Sequence, residues 1–191
     1  GRKEEIGYMQ NRRIWSEVQT QECWDKTGKA PVSVKWVDTD KGTPESPLVR
    51  CRLVARDFKG KGEKDREDLF AATPPLEYKR MILSKAATRR RDGRKRKVLF
   101  IDARKAHLNP KCEEDVYIQL PAEAGAGPGI CGKLNYWLYG FRPAAQAWEN
   151  HYAENMGKVG FRRGKGSTVT FYNAGRDLSC VVHGDDFTLC G

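Results

Sequence analysis

The nine residues Val181–Leu189 constrain the fold more than any other stretch of the chain, because they have the pattern of a β-hairpin. Two short apolar, β-branched runs flank the turn His183-Gly184-Asp185-Asp186. Gly and Asp are common turn residues, so an ordinary hairpin with a polar turn is one interpretation. A metal site is the other, because a tight turn can aim adjacent carboxylates at one divalent cation, and Mg²⁺ prefers oxygen ligands. The pattern alone leaves both open.

The charge of the chain indicates the class of its partner. Its 191 residues carry a formal net charge of +10 and suffice for one domain, or for one domain with an appendage. A soluble domain this basic usually faces a polyanion, and nucleic acid is the first candidate. A basic surface that serves only solubility is the alternative.

The sequence shows neither a membrane span nor a secretory signal. No window approaches about 18 uninterrupted apolar residues, and no charged segment followed by an apolar one stands at the start. We therefore expect an intracellular protein, cytoplasmic or nuclear, with no membrane partner.

The six cysteines are scattered, which predicts free, mostly buried thiols rather than a zinc site. Because the chain begins with Gly, it reads as a fragment of a longer protein.

Two strands in the first third of the chain predict an antiparallel ribbon. Val32–Val37 and Leu48–Ala55 are largely apolar, and a loop with Gly and Pro joins them. Side chains two apart share one face of a strand, so Arg50, Arg52 and Arg56 are expected to lie together. Such a face can contact a phosphate chain, since each guanidinium presents a fork of donors to oxyanions.

A basic run follows the next predicted helix. Thr73-Pro74-Pro75 resembles a helix entry, and the apolar spacing predicts a helix to about Arg90. Residues 89–97 then contain seven Arg or Lys residues. This run is typical of a phosphate-binding segment or a nuclear address. It is equally typical of a solvated loop, because cations are favoured at a helix C-terminus.

The run Val98–Ala103 supplies a third carboxylate. It is a short apolar segment, which is typical of a buried strand, and Asp102 stands near its end. A buried Asp is costly unless it is paired, hydrogen-bonded or bound to a metal. An Asp that caps the following turn is the alternative.

The remaining pattern predicts one regular helix and several strands. Periodic apolar residues predict a helix over 142–156 that packs one face on a sheet. A helix-like segment is expected around Asn11–Glu22, and residues 1–14 are expected to be poorly ordered because they are polar. Further strands are expected at Asp115–Leu120, Thr168–Asn173 and Leu178–His183.

Seven short blocks stand in one order along residues 15–191. They are Val34–Val37, Arg50–Phe58, Asp102–Asn109, Glu114–Pro121, Leu138–Trp148, Gly160-Phe161 and His183–Asp186. Together they resemble the reverse transcriptase domain of copia-type long-terminal-repeat retrotransposons. Several ordered blocks are far more specific than any single motif.

The resemblance implies an α+β fold of fingers and palm, with an antiparallel palm sheet backed by helices. The fingers-like ribbon corresponds to about residues 31–58 and the palm to about residues 74–191. The thumb that completes this fold in the family, and the ribonuclease H, integrase and protease domains, are expected to be absent from the chain.

The resemblance also implies the chemistry of RNA-directed DNA synthesis. A primer 3′-hydroxyl attacks the α-phosphate of an incoming deoxynucleotide, with two Mg²⁺ or Mn²⁺ ions. By their motif positions, Asp102, Asp185 and Asp186 resemble the catalytic metal ligands. The candidate nucleotide-binding residues are Arg50, Arg52, Arg56, His107 and Arg142. The implied partners are a primer on an RNA or DNA template, deoxynucleotides and the other domains of a Pol polyprotein.

Three departures from the family pattern bear on activity. His107 stands where the family usually has an aromatic residue that excludes ribonucleotides, and Pro143 replaces a usual Gln. His183-Gly184 replaces the commoner Tyr-Val before the aspartates. The alternative function is therefore an inactive nucleic-acid-binding remnant of such an element. A metal-dependent nuclease is a weaker third possibility, because the sequence offers no additional base for it.

Overall fold

The computed structural model describes residues 1–43, 45–46, 48–57, 75–90 and 92–191, and the chain divides into two compact units. One comprises Gly1–Glu67 with His107–Ala147, and the other Asp68–Ala106 with Trp148–Gly191. Helices and antiparallel strands occur in both, so the predicted α+β class is confirmed. The predicted helix entry Thr73-Pro74 and Arg91 of the basic run lie outside the described residues.

In chain order the helices and strands are α1 (Arg2–Asn11), β1 (Trp15–Gln19), α2 (Thr20–Thr27), β2 (Val34–Asp40), β3 (Val49–Ala55), α3 (Leu76–Ala86), β4 (Val98–Asp102), β5 (Tyr117–Ile118), β6 (Ile130–Leu134), α4 (Ala144–Lys158), β7 (Arg162–Arg163), β8 (Thr170–Asn173), β9 (Leu178–His183) and β10 (Asp186–Cys190). Among the described residues, short 3₁₀ turns occupy Ala106–Leu108 and Ala122–Ala124.

The first unit contains two small antiparallel sheets. One has the strand order β1-β6-β5, and the other is the β2–β3 ribbon that the sequence predicts. Apolar side chains from widely separated segments are almost fully buried in one core. Those with at most 2% exposure include Met9, Ile14, Leu53, Leu108, Ile118, Leu134 and Leu138.

Residues 107–147 therefore pack with the N-terminal part of the chain, whereas the sequence interpretation assigned them to the palm. The assignment followed the order of motifs along the chain. The structure instead groups segments by shared core contacts, which periodicity does not reveal.

The N-terminal segment differs from its prediction. Residues 1–14 were expected to be poorly ordered, but α1 occupies Arg2–Asn11 and buries Ile6 and Met9. These side chains lie three positions apart and share one face of a helix. The high charge of the segment hides this short apolar stripe. The helix expected around Asn11–Glu22 is likewise interrupted by β1.

The second unit is a five-stranded antiparallel sheet in the order β4-β10-β9-β8-β7. Alternate side chains of a strand point to opposite faces. On one face, Trp148 and Tyr152 of α4 share a buried cluster with Phe171 and Val182, as the predicted sheet-packing helix requires. On the other face, Ile82 of α3 packs among Val181 and Cys190. Each face of the central strands is thus covered by a helix.

Strand β4 contradicts the expectation of a buried strand. It lies at the edge of the sheet, and Leu99, Phe100 and Ile101 are 56%, 70% and 45% exposed. Asp102 is exposed as well. An apolar run predicts that a strand forms, but its position in the sheet decides whether it is covered. Burial therefore does not require a partner for Asp102.

Asp177 links three segments at the end of the sheet opposite the β9–β10 turn. Its carboxylate accepts hydrogen bonds from Arg96 Nη1 at 2.7 Å and Lys85 Nζ at 3.2 Å, and the Tyr172 hydroxyl donates at 3.3 Å. The bonds from Arg96, with the larger effect, and from Lys85 lower the pKa of Asp177 to about 2.

Replacing Asp177 with Asn is expected to destabilise the domain at neutral pH and to weaken its acid dependence. A carboxyl group whose pKa falls from 3.8 to about 2 on folding stabilises the fold at a pH above 3.8. That contribution is lost as the pH falls through about 2. Urea unfolding across this range measures the effect. Asp25→Asn is the control, since Asp25 bonds to Gln21 of its own helix. Identical pH profiles for the wild type and Asp177→Asn would show that folding does not lower the pKa of Asp177.

Two further expectations concern the cysteines and membranes. All six cysteines are free and five are buried, as predicted. Among the residues that the structure describes, no helix is long and apolar enough to cross a membrane.

Candidate active site

The hairpin at the C-terminal end of the chain forms as predicted. β9 pairs with β10 so that His183 faces Asp186, which leaves Gly184 and Asp185 as the two central turn residues. Of these, only Gly184 has a positive φ, +64°, as in a type II′ turn. Glycine adopts this conformation without the strain that a β-carbon brings. The departure from the family pattern at this position therefore suits the tight turn.

The three candidate carboxylates meet at this end of the sheet. Asp186 lies directly opposite Asp102 in the β10–β4 pair, so both side chains project from the same face. The backbone N–H of Ala103 donates to the carbonyl of Asp185 at 2.8 Å and ties the turn to the end of β4. All three carboxylates are exposed.

These carboxylates lack a cationic partner within the described part of the chain. No hydrogen bond or ion pair joins the side chains of Asp102, Asp185 or Asp186 to another described residue. Like charges directly opposite each other destabilise a sheet. A bound cation would remove this repulsion, so the charge and oxygen chemistry of the three side chains fit a hard divalent metal.

The structure does not show a preformed metal cage. Among the described residues, no group of three or more His, Cys, Asp or Glu side chains is arranged to hold a metal ion. Mg²⁺ commonly binds through one or two carboxylates together with substrate phosphates and water.

Helix α4 supports the turn from the face opposite Asp186. The indole Nε1 of Trp148 donates to the carbonyl of Gly184 at 2.8 Å. The ring also packs edge-on against Phe187 and Tyr152, with centroid distances of 6.3 and 5.5 Å. Trp148 belongs to the Leu138–Trp148 block and to the predicted helix, but the sequence carries no signal that the indole reaches a turn 36 residues away.

Helix α3 contacts the turn from the other face. Lys79 Nζ lies 2.8 Å from Nδ1 of His183. An ammonium group only donates, so Nδ1 is the acceptor in this contact. His183 faces Asp186 across the strand pair. His183, which departs from the family pattern, is thus held in place by Lys79, which the sequence does not predict as a site residue.

Replacing Trp148 with Phe is expected to loosen the carboxylate turn while keeping the aromatic packing. The loss of one N–H···O bond should lower the free energy of unfolding by about 1 kcal/mol. Amide hydrogen exchange at Ala103, whose N–H bonds to Asp185, should accelerate. Trp24→Phe is the control, because Trp24 is 48% exposed. Unchanged exchange at Ala103 in Trp148→Phe would show that the indole does not position the turn.

The predicted arginine face lies in the first unit. Leu53 and Ala55 of β3 point into the core, so Arg50 and Arg52, which stand an odd number of positions from both, lie on the opposite face. Arg56 follows the strand and is exposed, and its backbone N–H donates to Ser33 at 2.8 Å. The structure thus supports the shared face of Arg50 and Arg52.

Tyr139 joins two of the predicted binding residues in this unit. Its ring centroid is 5.3 Å from that of His107 and 5.9 Å from the guanidinium carbon of Arg52. Tyr139 belongs to the Leu138–Trp148 block, but its sequence position gave no indication of this contact. Contact with the same aromatic ring restricts the orientation of both the imidazole and the guanidinium.

Arg142 is already engaged with a carboxylate. Its Nε is 3.5 Å from Oδ2 of Asp57, and its backbone N–H donates to the same oxygen at 3.1 Å. Its charge is therefore partly neutralised, which makes it a weaker candidate for phosphate binding than the arginines of β3.

Comparison with known proteins assigns the family. Residues 19–191 match the family described as "Reverse transcriptase (RNA-dependent DNA polymerase)". The chain is also similar to the "Retrovirus-related Pol polyprotein from transposon TNT 1-94" of Nicotiana tabacum, with 33% identity over 126 residues. That similarity covers 63% of this chain and 9% of the tobacco polyprotein. The carboxylate hairpin and the ordered blocks thus occur in a chain that belongs to the reverse transcriptase family.

Proposed function

We propose that this chain is the fingers-and-palm part of an RNA-directed DNA polymerase from a copia-type retrotransposon. The primer 3′-hydroxyl attacks the α-phosphate of an incoming deoxynucleotide, and pyrophosphate leaves. The observation that carries the proposal is the meeting of Asp102 and Asp186 across two strands, with Asp185 in the adjoining turn, in a member of the reverse transcriptase family.

The three carboxylates are the proposed ligands of two Mg²⁺ or Mn²⁺ ions. When bound, such ions neutralise developing charge and favour ionisation of the attacking hydroxyl. The chain's own contribution is to hold Asp102, Asp185 and Asp186 on one end of a sheet. The links from Ala103 to Asp185 and from Trp148 to Gly184 fix the turn backbone, so that only the carboxylate side chains need to rotate on binding.

The nucleotide-binding residues belong to the proposal as well. We assign the β2–β3 ribbon to the fingers, and the five-stranded sheet with α3 and α4 to the palm. Arg50, Arg52 and Arg56 are proposed to contact the triphosphate. His107, held against Tyr139, is proposed to lie at the sugar, where imidazole leaves more room for a 2′-hydroxyl than a larger aromatic ring. Arg142 is proposed to bind the nucleotide only after its ion pair with Asp57 breaks.

The partners follow from the same family membership. A primer on an RNA or DNA template and the four deoxynucleotides are the proposed substrates. Because the chain aligns with a small part of a Pol polyprotein, we propose that the other Pol domains of its parent protein complete the primer–template cleft.

The second candidate function is a nucleic-acid-binding remnant without catalysis. The observation that favours it is the pairing of Arg142 with Asp57. A remnant keeps salt-dependent binding to primer–template, but its affinity does not respond to Mg²⁺ and deoxynucleotide.

Primer extension on RNA and DNA templates separates the two functions. The polymerase proposal predicts deoxynucleotide incorporation that requires Mg²⁺ or Mn²⁺, measured with the domain in its polyprotein. It also predicts tighter primer–template binding when the metal and the matching deoxynucleotide are present together. Binding that is unaffected by both, with no extension on either template, would establish the remnant instead.

A further inference from the structure

Backbone contacts close the described part of the basic run after α3, residues 89–90 and 92–97, into a loop. The N–H of Arg90 donates to the carbonyl of Arg94 at 2.9 Å, and the N–H of Gly93 donates to that of Arg90 at 3.0 Å. Arg89 and Lys95 pair as an antiparallel bridge. The loop therefore presents its side chains from a fixed backbone.

This loop lies at the end of the five-stranded sheet opposite the carboxylates. Lys97 and Gly191 exchange two backbone hydrogen bonds of 2.8 and 3.1 Å just before β4 begins, and Asp102 stands at the far end of that strand. Four residue steps along a strand correspond to about 13 Å. Arg90 Nη2 also donates to the carbonyl of Arg176 at 3.3 Å, which adds the β8–β9 turn to the same surface.

Most of the positive charge on this surface is unpaired. Arg94 bonds to Asp92, and Arg96 bonds to Asp177. The guanidinium groups of Arg89 and Arg90 donate to backbone carbonyls. Because a carbonyl carries no net charge, the positive charge of both guanidinium groups is not neutralised. Within the described residues, no carboxylate pairs with any member of the following group, which we call the basic end cluster. It consists of Arg89, Arg90, Lys95, Lys97 and Arg176.

Five like charges on two adjoining turns repel one another unless an anion lies against them. A polymer with regularly spaced phosphates is the natural counterpart, because binding it releases condensed counterions and is favoured entropically. Arginines anchored to the backbone are already ordered and lose little freedom on contact with phosphate.

We propose that the basic end cluster binds the phosphate backbone of nucleic acid at a surface separate from the carboxylates. It needs neither metal nor deoxynucleotide, and it does not read sequence, because phosphate contacts position a strand without specifying its bases. The proposal therefore goes beyond the polymerase function and stands independently of it.

A nuclear import receptor is the competing partner for a run of this composition. The structure favours nucleic acid because the loop is closed by the Arg89–Lys95 bridge and the Arg90–Arg94 bond. Recognition as an extended peptide would require these contacts to break, whereas a phosphate chain meets the side chains as they stand.

Salt-dependent binding tests the proposal. The variant carries Gln at Arg89, Lys95, Lys97 and Arg176 and keeps Arg94 and Arg96, which bind Asp92 and Asp177. A matched control carries Gln at four exposed lysines of the other unit, Lys3, Lys26, Lys29 and Lys111, and so loses the same charge. Affinity for a fluorescein-labelled DNA duplex of arbitrary sequence is measured by anisotropy across a KCl series. Equal thermal midpoints for the two variants confirm that both are folded.

The cluster variant is expected to bind at least about tenfold more weakly at about 0.1 M salt than the control. The slope of log affinity against log salt should fall by about 3, since each duplex phosphate contact contributes about 0.9. An Asp102→Asn/Asp185→Asn variant should keep the wild-type slope, which separates this surface from the polymerase proposal. Equal slopes for the cluster variant and the control would overturn the proposal that the basic end cluster binds nucleic acid. Lost nuclear accumulation of the cluster variant with an unchanged slope would assign the loop to an import receptor.

Discussion

Primer extension is expected to fall by at least about a thousandfold when Asp185 is replaced with Asn. The substitution keeps the size of the side chain but removes one of the charges that would hold the metals. Several kcal/mol of charge stabilisation are at stake, and each 1.36 kcal/mol corresponds to about tenfold in rate. Initial rates of deoxynucleotide incorporation on an RNA template measure the loss.

The control for this experiment is Glu154→Gln on α4. Glu154 is exposed and pairs with Lys158 on its own helix, so its loss should leave the rate within about twofold of the wild type. Equal rates for Asp185→Asn and Glu154→Gln would contradict the assignment of Asp185.

The same account predicts an opposite effect on stability. Asp186 and Asp102 face each other as like charges, so Asp186→Asn should raise the unfolding midpoint of the metal-free protein. A substitution that raises stability and abolishes activity is the expected mark of a functional carboxylate rather than of a turn residue that stabilises the fold.

Gly140→Ala is expected to destabilise the domain by at least about 3 kcal/mol. Gly140 has a φ of +90°, and a β-carbon there would overlap the carbonyl oxygen of Ala55. The same segments are joined by the N–H of Ala55, which donates to the carbonyl of Tyr139 at 2.7 Å. Relief of the overlap would push Tyr139 away from β3 and so disturb its contacts with His107 and Arg52.

Gly125→Ala is the matched control for Gly140→Ala. Gly125 has a φ of +72° but open space around it, so the backbone strain alone should cost about 1 kcal/mol. Urea unfolding of both variants measures the difference. Equal losses would show that the segment at Gly140 does not pass against β3 as closely as the structure indicates.

The sequence predicts those features that local patterns determine. The β9–β10 hairpin follows from two β-branched runs around Gly184, and the β2–β3 ribbon from two apolar runs around a turn-rich loop. The face shared by Arg50 and Arg52 follows from the twofold period of a strand. In each case the partner segment is the next one along the chain.

Features that depend on distant partners are missed or misjudged. β1 pairs with β6 more than a hundred residues later, so its short sequence of mixed polarity is predicted as helix. The apolar run of β4 is predicted as buried, but its exposure depends on its place at the sheet edge. The Trp148 bond to Gly184 and the Lys79 bond to His183 join segments with no local signal of proximity. The carboxylates can therefore be predicted, but the contacts that position them cannot.

The central claim is that Asp102, Asp185 and Asp186 hold two divalent metals for nucleotidyl transfer. Electron paramagnetic resonance counts the Mn²⁺ ions bound when the protein holds a dideoxy-terminated primer on an RNA template with the matching deoxynucleotide. The account predicts about two Mn²⁺ per wild-type chain and per Glu154→Gln chain, and loss of both ions in an Asp102→Asn/Asp185→Asn variant. Equal Mn²⁺ occupancy in the wild type and the double variant would contradict it.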